Sequence, residues 1–131
     1  MTHHAHGSFS VKMSPQPMEE QPAGSTLGRR TLDKRYEGDL VATGTGEMLA
    51  AGTATQGSAG YVALERVDGT LHGKRGSFVL QHSGTMNRGA PTLLVSVVPD
   101  SGTGELTGLA GTLTITIAAG AHSYDLHYTL G

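Results

Sequence analysis

The sequence predicts an all-β fold, either a barrel or a sandwich, on three observations. Short runs of apolar and β-branched residues alternate with polar residues, which is the period of a strand with one buried face. Glycine accounts for 20 of the 131 residues without a collagen period, and it separates these runs as turn and bulge residues do. No segment has the pattern of an amphipathic helix. The length predicts a single domain over residues 1–131.

Two predicted strands flank a loop in the first part of the chain. Residues 8–13 alternate and form the first strand. Residues 14–28 contain three prolines and two glycines, which predicts a long Pro/Gly-rich loop or arm. Residues 29–49 alternate over a longer run. One face is strongly charged near the start of this run, and we expect that face to meet solvent. The more apolar face carries Leu32, Lys34, Tyr36 and Leu40.

Residues 61–84 predict three short antiparallel strands joined by two turns. We expect these strands to form a curved sheet, and a curved sheet in a small protein favours a barrel. Asp68-Gly69 separates two alternating runs and fits a type I′ turn, which needs positive φ at both central residues. A second turn is predicted near Lys74-Arg75. The more apolar face, assigned to the interior, carries Val62, Leu64, Arg66, Leu71, Phe78, Leu80 and His82. The other face carries Tyr61, Ala63, Glu65, Val67, His72, Val79, Gln81 and Ser83. A slip of one residue would exchange the two faces.

Three further runs bring the total to seven or eight strands. Residues 93–98 are apolar and predict a buried strand. In residues 112–117, leucine and isoleucine alternate with threonine, which gives one inner and one outer face. Residues 122–130 form the last strand. Its predicted inward face carries His122, Tyr124, Leu126, Tyr128 and Leu130.

Composition argues against several classes of function. The chain has no cysteine, so disulfides and thiolate chemistry are excluded, and a cytoplasmic protein is expected. Nine basic and eleven acidic residues give a net charge of −2, which is too balanced for a nucleic-acid partner. No window approaches eighteen consecutive apolar residues, so no membrane partner is expected. The glycine spacings match no nucleotide-binding motif, and we predict no cofactor.

Several segments resemble a bacterial family catalogued as domain of unknown function 3224. They are GYVALERVDGTLHGKRGSFVLQHSGT (60–85), VVPDSGTGELTGLAGTLTI (97–115) and HSYDLHYTL (122–130), with the opening GSFSVK and the segment KRYEGDLVATGTGEML. The separate segments match in order, and the resemblance covers nearly the whole chain except the Pro-rich loop.

That family in turn resembles the allene oxide cyclase and dirigent barrels, through the Gly-rich turn at residues 102–111 that enters a strand. The resemblance implies a single closed antiparallel β-barrel of about eight strands with a central cavity, assembled as a homo-oligomer, either a dimer or a trimer. Plant allene oxide cyclases cyclise a fatty-acid-derived epoxide, and dirigent proteins steer radical coupling. The cyclase catalytic residues cannot be matched to this chain one by one, so no activity transfers with the fold.

Arg66 and His82 are the first candidate ligand-binding residues, because the predicted register places both inside. A buried charge is costly unless paired, so Arg66 could hold a polar ligand group, and His82 could move protons near neutral pH. Tyr36 and Tyr124 join them, since each offers a flat apolar ring and one hydroxyl. The alternative for all four is structural hydrogen bonding or core filling. If the register is slipped, the lining residues are instead Glu65, His72, Gln81 and Tyr61.

The start of the chain is rich in histidine, with His3, His4 and His6. A free amine with a histidine at the third position can chelate copper or nickel, because imidazole suits these metals. Chain termini are usually disordered, and the other histidines lack short zinc-type spacing. We therefore predict no metal site.

Three functions are compatible with the predicted barrel, and whether it is an enzyme is left open. The first is a module that binds a small, largely apolar ligand in its lumen. The second is an isomerase or cyclase that folds a flexible lipophilic substrate by shape. The third is a structural or interaction protein whose narrow barrel is packed solid with side chains.

Overall fold

The chain forms a closed barrel of eight antiparallel strands in a computed structural model that describes residues 1–18 and 24–131. Each strand pairs with the next in sequence, and the last pairs with the first. The predicted all-β fold and closed barrel are thus confirmed. The strands are β1 (His3–Gln16), β2 (Leu27–Gly38), β3 (Leu40–Gly52), β4 (Ala59–Leu71), β5 (Lys74–Asn87), β6 (Ala90–Val97), β7 (Leu109–Ala118) and β8 (Ala121–Leu130). Within the described ranges, no helix is long and apolar enough to cross a membrane.

The first strand is longer than predicted at both ends. β1 begins at His3, because residues from His3 onward pair with β8 and close the barrel. It continues to Gln16, and β2 begins at Leu27, so both ends of the predicted loop at residues 14–28 belong to strands. Pro15 is tolerated there because β8 pairs with β1 only as far as Phe9, and proline has no N–H to donate to a neighbour. The centre of the predicted loop, residues 19–23, lies outside the described residues.

One long hairpin replaces the three short strands predicted for residues 61–84. Its turn is His72-Gly73, with φ angles of 47° and 79°, the positive values that a two-residue turn requires. The predicted turn at Asp68-Gly69 is wrong, because both residues lie within β4 opposite Ser77 and Gly76. The predicted turn near Lys74-Arg75 is wrong as well, because β5 already begins at Lys74.

Moving the turn reverses the predicted faces of residues 61–67 on β4 and preserves those of Leu71 and of β5. Val62 and Leu64 were expected inside, and they are 54% and 56% exposed on the outer surface. The inward side chains of β4 include Ala63, Glu65 and Val67, all buried. On β5, the inward residues are Phe78, Leu80 and His82, as predicted.

Gly69 allows a close approach between strands. A Cβ atom at this position would lie 2.2 Å from the carbonyl oxygen of Val41 and 2.6 Å from the Cα of Ala42. We therefore expect Gly69→Ala to lower the free energy of unfolding by about 1–3 kcal/mol, the usual cost of overpacking, as measured by urea denaturation. Gly28→Ala is the matched control, because its Cβ would meet nothing within 4 Å. A Gly69→Ala protein as stable as Gly28→Ala would contradict this packing of β3 on β4.

Side chains fill one end of the barrel, called the closed end. The connection between β6 and β7 folds over it, with a single 3₁₀ turn at Gly104–Leu106. The amide of Thr103 donates to the carbonyl of Ser77 at 2.8 Å and fastens this connection to β5. Fully buried side chains at the closed end include Leu40, Leu71, Phe78, Leu106, Leu109 and Leu126. The other end, called the open end, is where the candidate site lies.

Candidate functional site

A buried carboxylate, Glu65 on β4, stands in the barrel interior and gathers three side chains around it. Its Oε1 accepts hydrogen bonds from Lys34 Nζ at 3.0 Å and from His82 Nε2 at 3.0 Å. Its Oε2 accepts a hydrogen bond from the hydroxyl of Tyr36. Glu65 has no solvent exposure, and Lys34, Tyr36 and His82 are 5%, 3% and 3% exposed. These four residues are called the Glu65 cluster.

Gly44 makes the Glu65 cluster sterically possible. Lys34 and Tyr36 lie on β2, whereas Glu65 lies on β4, so its side chain must cross the inner face of β3. Gly44 is the β3 partner of Lys34, and a Cβ there would lie 2.1 Å from Oε2 of Glu65. Only a residue without a side chain leaves this passage open. The glycine therefore provides space for a carboxylate.

The cluster keeps Glu65 ionised. Burial raises the pKa of Glu65, but the hydrogen bond from His82, the positive charge of Lys34 and the hydrogen bond from Tyr36 together lower it below the ordinary range. Burial, followed by the negative charge of Glu65, raises the pKa of Tyr36 far above its ordinary value, so the phenol stays protonated. The ammonium of Lys34 therefore faces one carboxylate, and the two charges balance.

An open-ended cavity of about 490 Å³ lies above the cluster and reaches the open end of the barrel. Lys34 and His82 are part of its lining, whereas Glu65 and Tyr36 lie behind them and do not line it among the described residues. Tyr61 and His122 also line the cavity. Most of the wall is apolar, including Phe9, Val11, Leu32, Met48, Leu93 and Ile115.

The structure places the predicted site residues in different environments. Arg66 was expected in the lumen, and this expectation is wrong. Its side chain is 61% exposed on the outer surface, where it pairs with Asp68 at 3.3 Å and donates to Ser77 at 3.2 Å. His82 points inward as predicted and belongs to the Glu65 cluster. The physical reason is the shifted turn, which reverses the faces of residues 61–67 on β4 and leaves those of β5 unchanged.

The two predicted tyrosines are both buried and have different partners. Tyr36 belongs to the Glu65 cluster. The Tyr124 hydroxyl accepts a hydrogen bond from the backbone N–H of Leu40 at 2.9 Å and donates to the carbonyl of Glu37 at 2.8 Å. Tyr124 therefore ties β8 to the connection between β2 and β3, and among the described residues it does not line the cavity.

The alternative residue set is also divided. Glu65 and Tyr61 face the interior, whereas Gln81 is exposed on the outer surface of β5. His72 lies in the hairpin turn at the closed end, where its Nδ1 is 2.5 Å from the Tyr128 hydroxyl and its Nε2 is 3.6 Å from Asp39. The observed cluster thus combines His82 and Tyr36 from one predicted set with Glu65 from the other.

Lys34 is the functional residue that the sequence-based prediction missed. It shares the inward face of β2 with Leu32 and Tyr36, next to the buried Leu40 at the start of β3, and a lysine on an inward face needs a buried carboxylate as its partner. That signal was present in the sequence, but it could not identify Glu65 as the partner.

Comparison with known proteins identifies the family. The model of a family described as protein of unknown function (DUF3224) matches residues 5–128. The chain belongs to the DUF3224 family. A crystal structure of a protein with unknown function from the DUF3224 family of Shewanella oneidensis MR-1 is 48% identical and covers 100% of this chain and 98% of the other, with a TM-score of 0.95. No curated protein matches the chain.

Proposed function

We propose that this DUF3224 protein binds one small, largely apolar molecule in the open half of its barrel, with a polar group of the ligand against Lys34 and His82. The observation that carries the proposal is an apolar cavity that ends on these two nitrogen-bearing side chains. Its volume of about 490 Å³ lies within the range of typical ligand sites, which are concave, mostly apolar and sparsely polar.

The charge balance of the Glu65 cluster favours a neutral polar group on the ligand. Lys34 Nζ has three donors, one of which is directed at Glu65. The ammonium also lies 5.1 Å from the ring centre of Phe9, a favourable cation–π distance. Because Glu65 already neutralises Lys34, a ligand carboxylate would bring an unbalanced charge into an apolar site, which is costly. A ketone, ester or alcohol oxygen would accept a hydrogen bond without that cost.

A second candidate function is an isomerase or cyclase, and the contact between Glu65 and His82 favours it. An ionised carboxylate only accepts hydrogen bonds, so His82 Nε2 carries the proton in this contact. In the neutral ring, Nδ1 then holds the lone pair and is the basic atom. An imidazole oriented by a carboxylate at the floor of an apolar cavity is suited to removing a proton from a bound substrate and returning it at another position. Such an isomerisation needs no redox partner.

A structural or interaction protein with a solidly packed barrel is the least supported of the three predicted functions. The described side chains fill only the closed end and leave a cavity at the open end. The cytoplasmic location, the lipophilic ligand and the dimer or trimer predicted from the sequence are part of this proposal. Native mass spectrometry reports the number of subunits together with any bound small molecule.

Native mass spectrometry of freshly purified protein tests the proposal directly. We expect an added mass of one small molecule per barrel that disappears when the protein is denatured. A neutral fluorescent probe, N-phenyl-1-naphthylamine, should bind, and decan-2-one should displace it better than decanoate does. Purified protein that carries no added mass and also fails to bind the probe would contradict binding in the lumen.

Exchange of ketone protons for deuterium separates the binder from the enzyme. If His82 acts as a base, decan-2-one in heavy-water buffer should exchange the protons beside its carbonyl for deuterium faster with the protein present than without it. NMR measures both rates. The His82→Gln protein should bind the ketone but lose this acceleration. Binding without any acceleration by the unaltered protein would support the binding module alone.

A further inference from the structure

A second group of side chains lies on the outer surface of the barrel, away from the cavity and at the seam where it closes. His4 of β1 is the cross-strand partner of His127 on β8, and Asp125 precedes His127 by two residues on the same face. One potential ligand atom from each of His4, Asp125 and His127 lies within 4.8 Å of the others. The amino-terminal histidines, expected at a disordered terminus, instead lie in a paired strand, and this pairing assembles the group.

We propose that His4, Asp125 and His127 bind a divalent transition metal ion of the zinc class, with water completing the coordination. His4 Nδ1 and His127 Nε2 are 3.4 Å and 3.5 Å from Oδ1 of Asp125. Neighbouring ligand atoms around tetrahedral zinc, with bonds of about 2.0–2.1 Å, are separated by about 3.3–3.4 Å. The distances to the carboxylate therefore already match the required geometry.

The Asp125 carboxylate supplies a second, independent observation. Its Oδ1 is buried and has no hydrogen-bond partner among the described residues, although Asp125 itself is partly exposed. A buried acceptor without a partner is costly, and a bound cation would satisfy it. The β7 residues opposite His127 and Asp125 are the neutral Thr112 and Thr114. On β1, His6 is the cross-strand partner of Asp125, and its Nε2 is 3.9 Å from Asp39. Two imidazoles and one carboxylate are ligands that suit zinc, cobalt and nickel, and the site is open on the solvent side.

Metal titration of chelator-treated protein tests the site and does not depend on the proposed lumen function. Zn²⁺ should bind with one ion per chain in isothermal titration calorimetry, and Co²⁺ should give visible absorption bands of a tetrahedral or five-coordinate complex. Loss of a residue that only hydrogen-bonds to a metal ligand typically lowers metal affinity by about 10–100-fold, and loss of a ligand itself should cost at least as much. Asp125→Asn and His127→Gln should therefore each weaken Zn²⁺ binding by at least about tenfold.

His6→Gln is the matched control. His6 is another exposed, outward histidine of β1 and the cross-strand partner of Asp125. Its Nε2 is 3.9 Å from Asp39, and it is not one of the three residues whose potential ligand atoms lie within 4.8 Å of one another. Its replacement should leave Zn²⁺ affinity unchanged, and circular dichroism should show that all variants are folded. Absence of saturable Zn²⁺ binding would overturn the proposal. Binding that survives His127→Gln but is lost in His3→Gln would also overturn it, because the amino terminus would then hold the metal.

Discussion

Glu65→Gln should destabilise the barrel by about 3–5 kcal/mol in urea denaturation, because it leaves the buried ammonium of Lys34 without a countercharge. The substitution keeps the shape of the side chain, so loss of charge rather than a cavity causes the effect. The double variant Lys34→Met with Glu65→Gln removes both charges and should recover most of the lost stability. The amide would still accept a hydrogen bond from Tyr36 or His82.

An exposed ion pair provides the control for this cycle. Glu47 pairs with Arg29 on the outer surface, with side-chain exposures of 53% and 40%. Glu47→Gln should change the free energy of unfolding by less than about 1 kcal/mol, because solvent screens such pairs. If Glu65→Gln costs no more than Glu47→Gln, or if the double variant is as unstable as the single one, Lys34 and Glu65 do not form a buried ion pair.

The pH dependence of stability provides a second measurement of the same prediction. The pKa of Glu65 is lowered in the folded protein, so the unfolded chain binds its proton more readily. The stability due to Glu65 is complete above the ordinary glutamate value of 4.5 and is lost as the pH falls from there through the lowered native pKa. Asp39 and Asp68, whose pKa values are also lowered, contribute to the same slope. The acid-induced loss should therefore be smaller in the double variant than in the unaltered protein.

Ala50→Trp should weaken binding of the neutral probe N-phenyl-1-naphthylamine by at least about tenfold, or about 1.4 kcal/mol. Ala50 lies on the inner face of β3 and lines the cavity, so an indole ring there would occupy the space that the proposal assigns to the ligand. Fluorescence titration measures the affinity, and thermal unfolding reports whether the larger side chain is accommodated.

Ala51→Trp is the matched control for this experiment. Ala51 is the next residue on β3 and faces outward, so the same indole ring is placed outside the barrel. This variant should bind the probe like the unaltered protein. If Ala51→Trp loses probe binding and Ala50→Trp retains it, the probe occupies the outer surface, where Leu49, Val62 and Leu64 border a second depression of about 640 Å³. That result would contradict a ligand site in the lumen.

Part of the candidate site could be read from alternating patterns. Tyr36 and Lys34 share a face with Leu32 on β2, and His82 shares one with Phe78 and Leu80 on β5, so their inward direction follows from a period of two. Glu65 could not be assigned in this way. Its direction was inferred from the position of the hairpin turn that follows it, and two neighbouring glycine-containing pairs, Asp68-Gly69 and His72-Gly73, are both able to form a turn.

The sequence by itself determined the class of fold, because strand period, turn residues and the absence of a helical pattern are local properties of the chain. Only the tertiary structure decided which turn forms, because the choice depends on pairing with β3 and on the close contact that Gly69 makes there. It also decided that Lys34, Glu65 and His82 meet, and that His4 reaches Asp125 and His127. These contacts join residues far apart in sequence. Pairing of β2 to β5 brings the first three together, and the closing pair of β1 and β8 brings His4 to the other two.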